Sequence, residues 1–124
     1  LKDDESGKPF HVRQAEQVAL YRQARKDAGH AREPRVSVSR SIFALTDERD
    51  WQYFGRDRYS SDQVGNIDAK TRAVFGKSYA GEPDELAKKL AEDEAIAAAD
   101  TLLLTVPNQL GVDYNAHVIE SVLK

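Results

Sequence analysis

Only two stretches of this 124-residue chain read as β-strands on alternation or apolar run, and helices lie before, between and after them. The first is Arg35–Leu45, in which Val36, Val38, Ile42 and Ala44 share one face and Ser37, Ser39 and Ser41 the other. The second is Asp100–Val106, a leucine run closed by Pro107. Strands that alternate with helices imply a parallel sheet with right-handed crossovers. Two strands are too few for such a sheet, and an apolar run such as Leu102-Leu103-Leu104 expects cover on both faces. The partner strands are therefore expected from outside the chain. The chain also begins at Leu1 and contains no Met, so it reads as a piece of a longer protein, a single incomplete domain over 1–124.

The helices carry their own signals. Pro9 precedes and Gly29 follows a helix over His11–Ala28, with Val12, Ala15, Val18 and Ala19 as its apolar side and Arg25 and Lys26 in the last turn. Pro83 opens a second helix behind the acidic Glu82, Asp84 and Glu85, with Leu86, Ala87, Leu90, Ala91 and Ala98 turned inward. Asp113 is the expected N-cap of a final helix in which Ala116, Ile119 and Leu123 repeat. Residues 46–81 form a long excursion with aromatics among charges and one expected helix, Ile67–Phe75. Excursions of that length commonly serve as lids or binding loops.

Charge and composition exclude several function classes. Lys and Arg number 18 against 21 Asp and Glu, a net charge of −3, so the basic excess that holds nucleic acid is missing. With no cysteine there is no disulfide, thiolate zinc site or Cys nucleophile in this stretch. The most apolar stretch, Ala95–Val106, is broken by Asp100 and is well short of the ~20 residues that span a bilayer. A cytoplasmic protein with no nucleic-acid or membrane partner is expected. His11, His30 and His117 have no metal-ligand spacing, so no metal site is expected.

Several segments together resemble the C-terminal part of luciferase-like, flavin-dependent monooxygenases, the family of bacterial luciferase. They are Phe10-His11 with the helix Gln14–Arg22, the strand Arg35–Leu45, the stretch Tyr79-Ala80-Gly81-Glu82-Pro83-Asp84-Glu85-Leu86-Ala87, Leu90, and Ala99–Leu104. Glu82 stands where the family usually has Thr or Ser between Gly and Pro. The resemblance implies an α/β fold, the last two βα units of a (β/α)8 TIM barrel, with chemistry at the carboxyl ends of the strands. It further implies a monooxygenase or oxidoreductase using reduced flavin and dioxygen on an organic substrate. FMN is the expected cofactor, a deazaflavin the alternative. Ser39, Arg40 and Ser41 after the one strand, and Asn108 and Gln109 after the other, are the residues expected to face flavin or substrate. No catalytic residue is assigned. An ion pair between Arg40 and an acidic residue of the excursion is the competing reading of that side chain. The isolated chain is expected to be inactive without the rest of the barrel or a further copy of itself. The alternative is an inert structural or binding fragment.

Overall fold

A computed structural model describes residues 1, 6–54, 61–66, 72–106 and 110–124. The first helix, α1 (Phe10–Asp27), has Arg25 and Lys26 in its last turn, and the chain leaves it through Gly29 at φ 73°. Its buried residues are Phe10 and Val18, whereas Ala19, expected inside, is exposed. The helix packs mainly on a short later helix, so a narrow contact suffices.

The central strand β1 (Ser37–Ala44) buries Val38, Arg40, Ile42 and Ala44 and leaves Ser37 and Ser39 exposed, as its alternation predicts. Ser41 departs from that pattern and is buried. After β1 come α2 (Glu48–Phe54), β2 (Ser61–Asn66) and β3 (Arg72–Gly81). Of the helix expected over 67–75, residues 67–71 lie outside those described, and from Arg72 the chain is strand. An open edge of β1 would leave its backbone groups unpaired, and β3 satisfies them, an outcome that local periodicity does not report. Ser41–Ala44 pair in parallel with Ser78–Gly81, while β2 lies antiparallel on the far side of β3 with a register shift between Gln63 and Val64. The other half of β1, Ser37–Arg40, pairs in parallel with β4 (Thr101–Leu104). The sheet order is β2-β3-β1-β4. The excursion thus contributes two strands of its own to the sheet.

The helix expected to run on from Pro83 is two helices, α3 (Pro83–Ala91) and α4 (Glu94–Ala98). The break is at Asp93, whose side chain accepts hydrogen bonds from the Ala95 and Ile96 amides and so starts a new helix. Glu82 makes no side-chain cap, and Pro83 occupies the first turn instead. The last helix, α5 (Val112–Leu123), starts after Gly111 at φ 84°, so Asp113 lies inside its first turn rather than capping it. Tyr114 and Val118 are its buried residues; Ala116, Ile119 and Leu123, expected inward, face solvent.

Ile42, Ala44, Tyr79 and Leu86 form the core, with Leu90, Leu104 and Val122 packed against it. Side chains of α1, α3 and α5 and the cap of α4 all reach the even-numbered face of β1. On the odd-numbered face Gln63 donates to Ser41 Oγ (3.3 Å) and Ser78 Oγ (2.9 Å), and Phe54 stacks on Phe43 with ring centroids 4.0 Å apart. The rest of that face is open: Ser37, Ser39, Thr101 and Thr105 are exposed, and Leu103 is 52% exposed. The leucine run of β4 therefore lacks the two-sided cover expected of it. No helix among the described residues is long and apolar enough to cross a membrane.

Gly76 is a close approach in the β2–β3 pair, since a Cβ there would sit 2.8 Å from Gln63 Oε1. Gly76→Ala is expected to displace Gln63 and lose its two serine hydrogen bonds, at a cost of about 1 kcal/mol. Urea unfolding measures this; a loss above about 3 kcal/mol would mean that the backbone, not Gln63, gives way.

Candidate functional site at the carboxyl end of the central strand

β1 runs into Leu45, whose amide donates to the Gly81 carbonyl, and then into Thr46 and Asp47. Asp47 and Asp50 cap α2 reciprocally. Asp47 Oδ1 accepts from the Arg49 amide (2.9 Å) and the Asp50 amide (3.0 Å), while Asp50 Oδ2 accepts from the amides of Asp47 (3.0 Å) and Thr46 (2.9 Å). This is a capping box with a carboxylate at each end. Thr46 Oγ1 adds a further hydrogen bond to Asp50 Oδ2 at 3.1 Å.

From the opposite side α5 places Tyr114 and His117, three apart and hence on one helix face, over the same carboxylate. Tyr114 donates its hydroxyl to Asp50 Oδ1 at 2.5 Å, and His117 Nε2 lies 3.0 and 3.1 Å from the two Asp50 oxygens. Asp47 Oδ2 is 3.5 Å from the same nitrogen and is held by Arg49 at 2.8 Å. Burial alone would push the Asp50 carboxyl up, but the hydrogen bonds from Tyr114, the Thr46 amide and His117 outweigh it and hold the group at about 2. Asp47 is also lowered, first by Arg49. Burial and the bond to Asp50 raise the Tyr114 hydroxyl well above its ordinary value. All three groups therefore keep their usual neutral-pH charges.

With Asp50 ionised, His117 Nε2–H is the donor of this hydrogen bond, which leaves Nδ1 as the ring nitrogen not engaged by Asp50. The His117 side chain is 22% exposed, so part of the ring meets solvent at the end of β1. A carboxylate that orients an imidazole in this way prepares it to take or give a proton. Asp47, Asp50 and His117 also bring ligand-type atoms within 4.8 Å of one another. The two carboxylates already accept from the amides of Thr46, Asp47, Arg49 and Asp50, from the hydroxyls of Thr46 and Tyr114, and from the Arg49 guanidinium, so a cation would have to displace bonds that hold α2 and α5 in place.

The residues expected from the sequence lie elsewhere. Ser39, Arg40 and Ser41 are in the middle of β1, not beyond its carboxyl end. Arg40 is 1% exposed and faces the helices. Its Nε and Nη2 form a two-pronged pair with Asp93 at 2.8 and 3.0 Å, Nη2 also donates to Gln14 Oε1 (2.8 Å), and Nη1 donates to the Ser39 carbonyl (2.8 Å). The Phe10 ring lies 5.7 Å from the guanidinium carbon, and Tyr79 donates its hydroxyl to Asp93 at 2.7 Å. Burial works against the charge on Asp93, but Arg40 and Tyr79 hold its carboxyl below the ordinary range. The assignment of Arg40 to a cofactor or substrate is therefore corrected: its partner is an acid, and that acid follows α3 rather than belonging to the excursion. Ser41 is covered by Gln63. Ser39 stays exposed, with its Oγ 2.9 Å from Thr105 Oγ1 on the neighbouring strand. Asn108 and Gln109 lie outside the described residues.

Asp47, Asp50 and Tyr114 were not singled out from the sequence, and His117 was named there only as a histidine without metal-ligand spacing. Their signals were present in Asp47-x-x-Asp50 behind a strand and Tyr114-x-x-His117 in a helix, but nothing local joins two segments 64 residues apart. Comparison of the chain with protein-family models, with characterised proteins and with solved structures gives no match.

Proposed function

We propose that the chain is the closing part of a luciferase-like, flavin-dependent monooxygenase, in the form of the last units of a (β/α)8 barrel, with FMN or a deazaflavin as cofactor. The observation that carries this reading is the one-sided sheet. Helices cover the even-numbered face of β1, while Ser37, Ser39, Thr101 and Thr105 line an open face across two parallel neighbours, as on the inner side of a barrel wall. The sequence resemblance supplies the chemistry. In the barrel reading β1 and β4 are adjacent strands, and β3 holds the flank of β1 where the preceding strand would pair, so the closed barrel requires β3 to move aside.

Bound reduced flavin would supply the reaction with dioxygen. The Ser39 and Thr105 hydroxyls fit the polar edge of a flat ring or substrate, whereas Arg40, committed to Asp93, cannot hold a phosphate on the open face. His117, oriented by Asp50, is suited to hold or accept a proton at Nδ1 near the carboxyl end of β1. The alternative, an inert structural piece, is favoured by the full engagement of Arg40 inside the protein.

Flavin fluorescence during titration of the full natural protein with FMN, and oxygen uptake from reduced flavin above the rate of its protein-free autoxidation, test the reading. Quenching and uptake are expected, with Ser39→Ala/Thr105→Val weakening flavin or substrate binding about tenfold through two lost hydrogen bonds. Absence of both responses with FMN and with a deazaflavin overturns it.

A further inference from the structure

The stretch from Arg22 to Arg35 holds five Arg or Lys residues and two carboxylates, in a chain of net charge −3. Folding gathers them. The end of α1 and the turn at Gly29 line a cavity of about 420 Å³ whose polar walls include Arg22, Arg25, Lys26, His30, Arg32 and Glu33. A hollow of about 260 Å³ adjoins it, sharing Arg25 and Arg32 and adding Tyr21 and Arg35.

The charges in this basin do not cancel. Arg22 pairs with Asp100 at 3.0 Å, and Asp27 is taken by Gln23 at 2.7 Å. Arg25 donates through Nη2 to the Arg32 carbonyl (3.1 Å), while its Nε is buried without a hydrogen-bond partner. Among the described residues Arg25, Lys26 and Arg32 form no ion pair, whereas Arg35 joins Arg22 in lowering the Asp100 carboxyl, and Glu33 is the one carboxylate on the walls. The end of α1 contributes roughly half a negative charge, too little to balance the excess. Of Arg25, Lys26 and Arg32, Arg25 is the partly buried one, and an anion in the cavity would offset the cost of shielding its charge from water.

We propose that this basin binds a small phosphate-bearing anion, with the arginine forks on the phosphate and the Tyr21 hollow against the rest of the ligand. Phosphate matches the planar, multi-donor geometry of arginine. A small ligand is favoured over nucleic acid because the basic charge is confined to one concavity of an acidic chain, with no track for a polyanion to follow. Arg35 and Val36 lead into the amino end of β1, so the basin is separate from the carboxyl-end site, and its test does not involve flavin.

Isothermal titration of the full natural protein at low salt with inorganic phosphate, AMP and a single-stranded oligonucleotide decides it. Saturable binding of phosphate or AMP is expected, weakened at least tenfold in Lys26→Ala/Arg32→Ala. Both of those side chains are exposed, so thermal unfolding of the variant should match the parent. AMP binding more tightly than phosphate assigns the Tyr21 hollow to the organic part, and equal binding assigns the basin to the free anion. No saturable binding, binding unaltered in the double variant, or an oligonucleotide that binds more tightly than AMP overturns the proposal.

Discussion

Asp93→Ala is expected to destabilise the protein by about 3–5 kcal/mol, the usual cost of removing one partner from a buried ion pair. The acid serves three structures at once. It neutralises a guanidinium that has no access to water, accepts the Tyr79 hydroxyl and caps α4. Removing it leaves the Arg40 charge buried and the Tyr79 hydroxyl without its acceptor. Since domains of this size are stable by only ~5–15 kcal/mol, the variant should be near its unfolding limit at room temperature. Urea titration by circular dichroism gives the value. A second variant separates charge from the other roles: Arg40→Met/Asp93→Leu should recover the part of the loss due to the unpaired charge, while the Tyr79 hydroxyl and the α4 cap remain without Asp93. A loss below about 1 kcal/mol for Asp93→Ala would mean that the pair is hydrated in solution.

Asp50→Asn should cost about 2–4 kcal/mol, because an amide cannot accept all the donors that converge on the carboxylate. Thr46, Asp47, Tyr114 and His117 all donate to it, so the change loosens α2 and α5 together. The same residue makes an acid-sensitive contribution. Its folded pKa, about 2, is below the ordinary carboxyl value of 3.8, so ionisation favours the folded state. That stability is fully present above the unfolded value and is lost as pH falls from about 4 through about 2. Unfolding midpoints measured across this window should decline less steeply in Asp50→Asn than in the parent. Equal slopes would remove Asp50 from the acid response and leave it to the other depressed carboxylates, Asp93 among them.

The parts of the fold that could be read beforehand are those whose signal is local. The alternation in β1 identified its buried and open faces because side chains of a strand point to opposite sides every second residue. The acidic start and Pro83 placed α3, and Pro107 marked where the leucine run of β4 had to stop. The failures share a cause. α5 contains two plausible faces, Ala116/Ile119/Leu123 and Tyr114/Val118/Val122, and the choice is made by Asp50 more than sixty residues away. Arg40 was expected at flavin or substrate because the family resemblance placed it at the mouth of a barrel; the competing ion pair was right in kind, but its acid is Asp93 rather than a residue of the excursion. Asp93, within a run of acidic residues, gave no sign that it would be the buried one.

From the amino-acid sequence alone, alternation, proline placement and charge determined that this chain is mixed α/β, that β1 has one apolar and one hydroxyl-rich face, and that no cysteine chemistry is available. Tertiary structure decided that the excursion supplies β2 and β3, that Arg40 points into the helix layer, and that a His–Asp pair forms beyond the end of β1. The division follows from range. Periodicity and capping act within a few residues, whereas pairing a strand edge, neutralising a buried guanidinium and orienting an imidazole each require groups from distant segments, and only the folded chain brings those together.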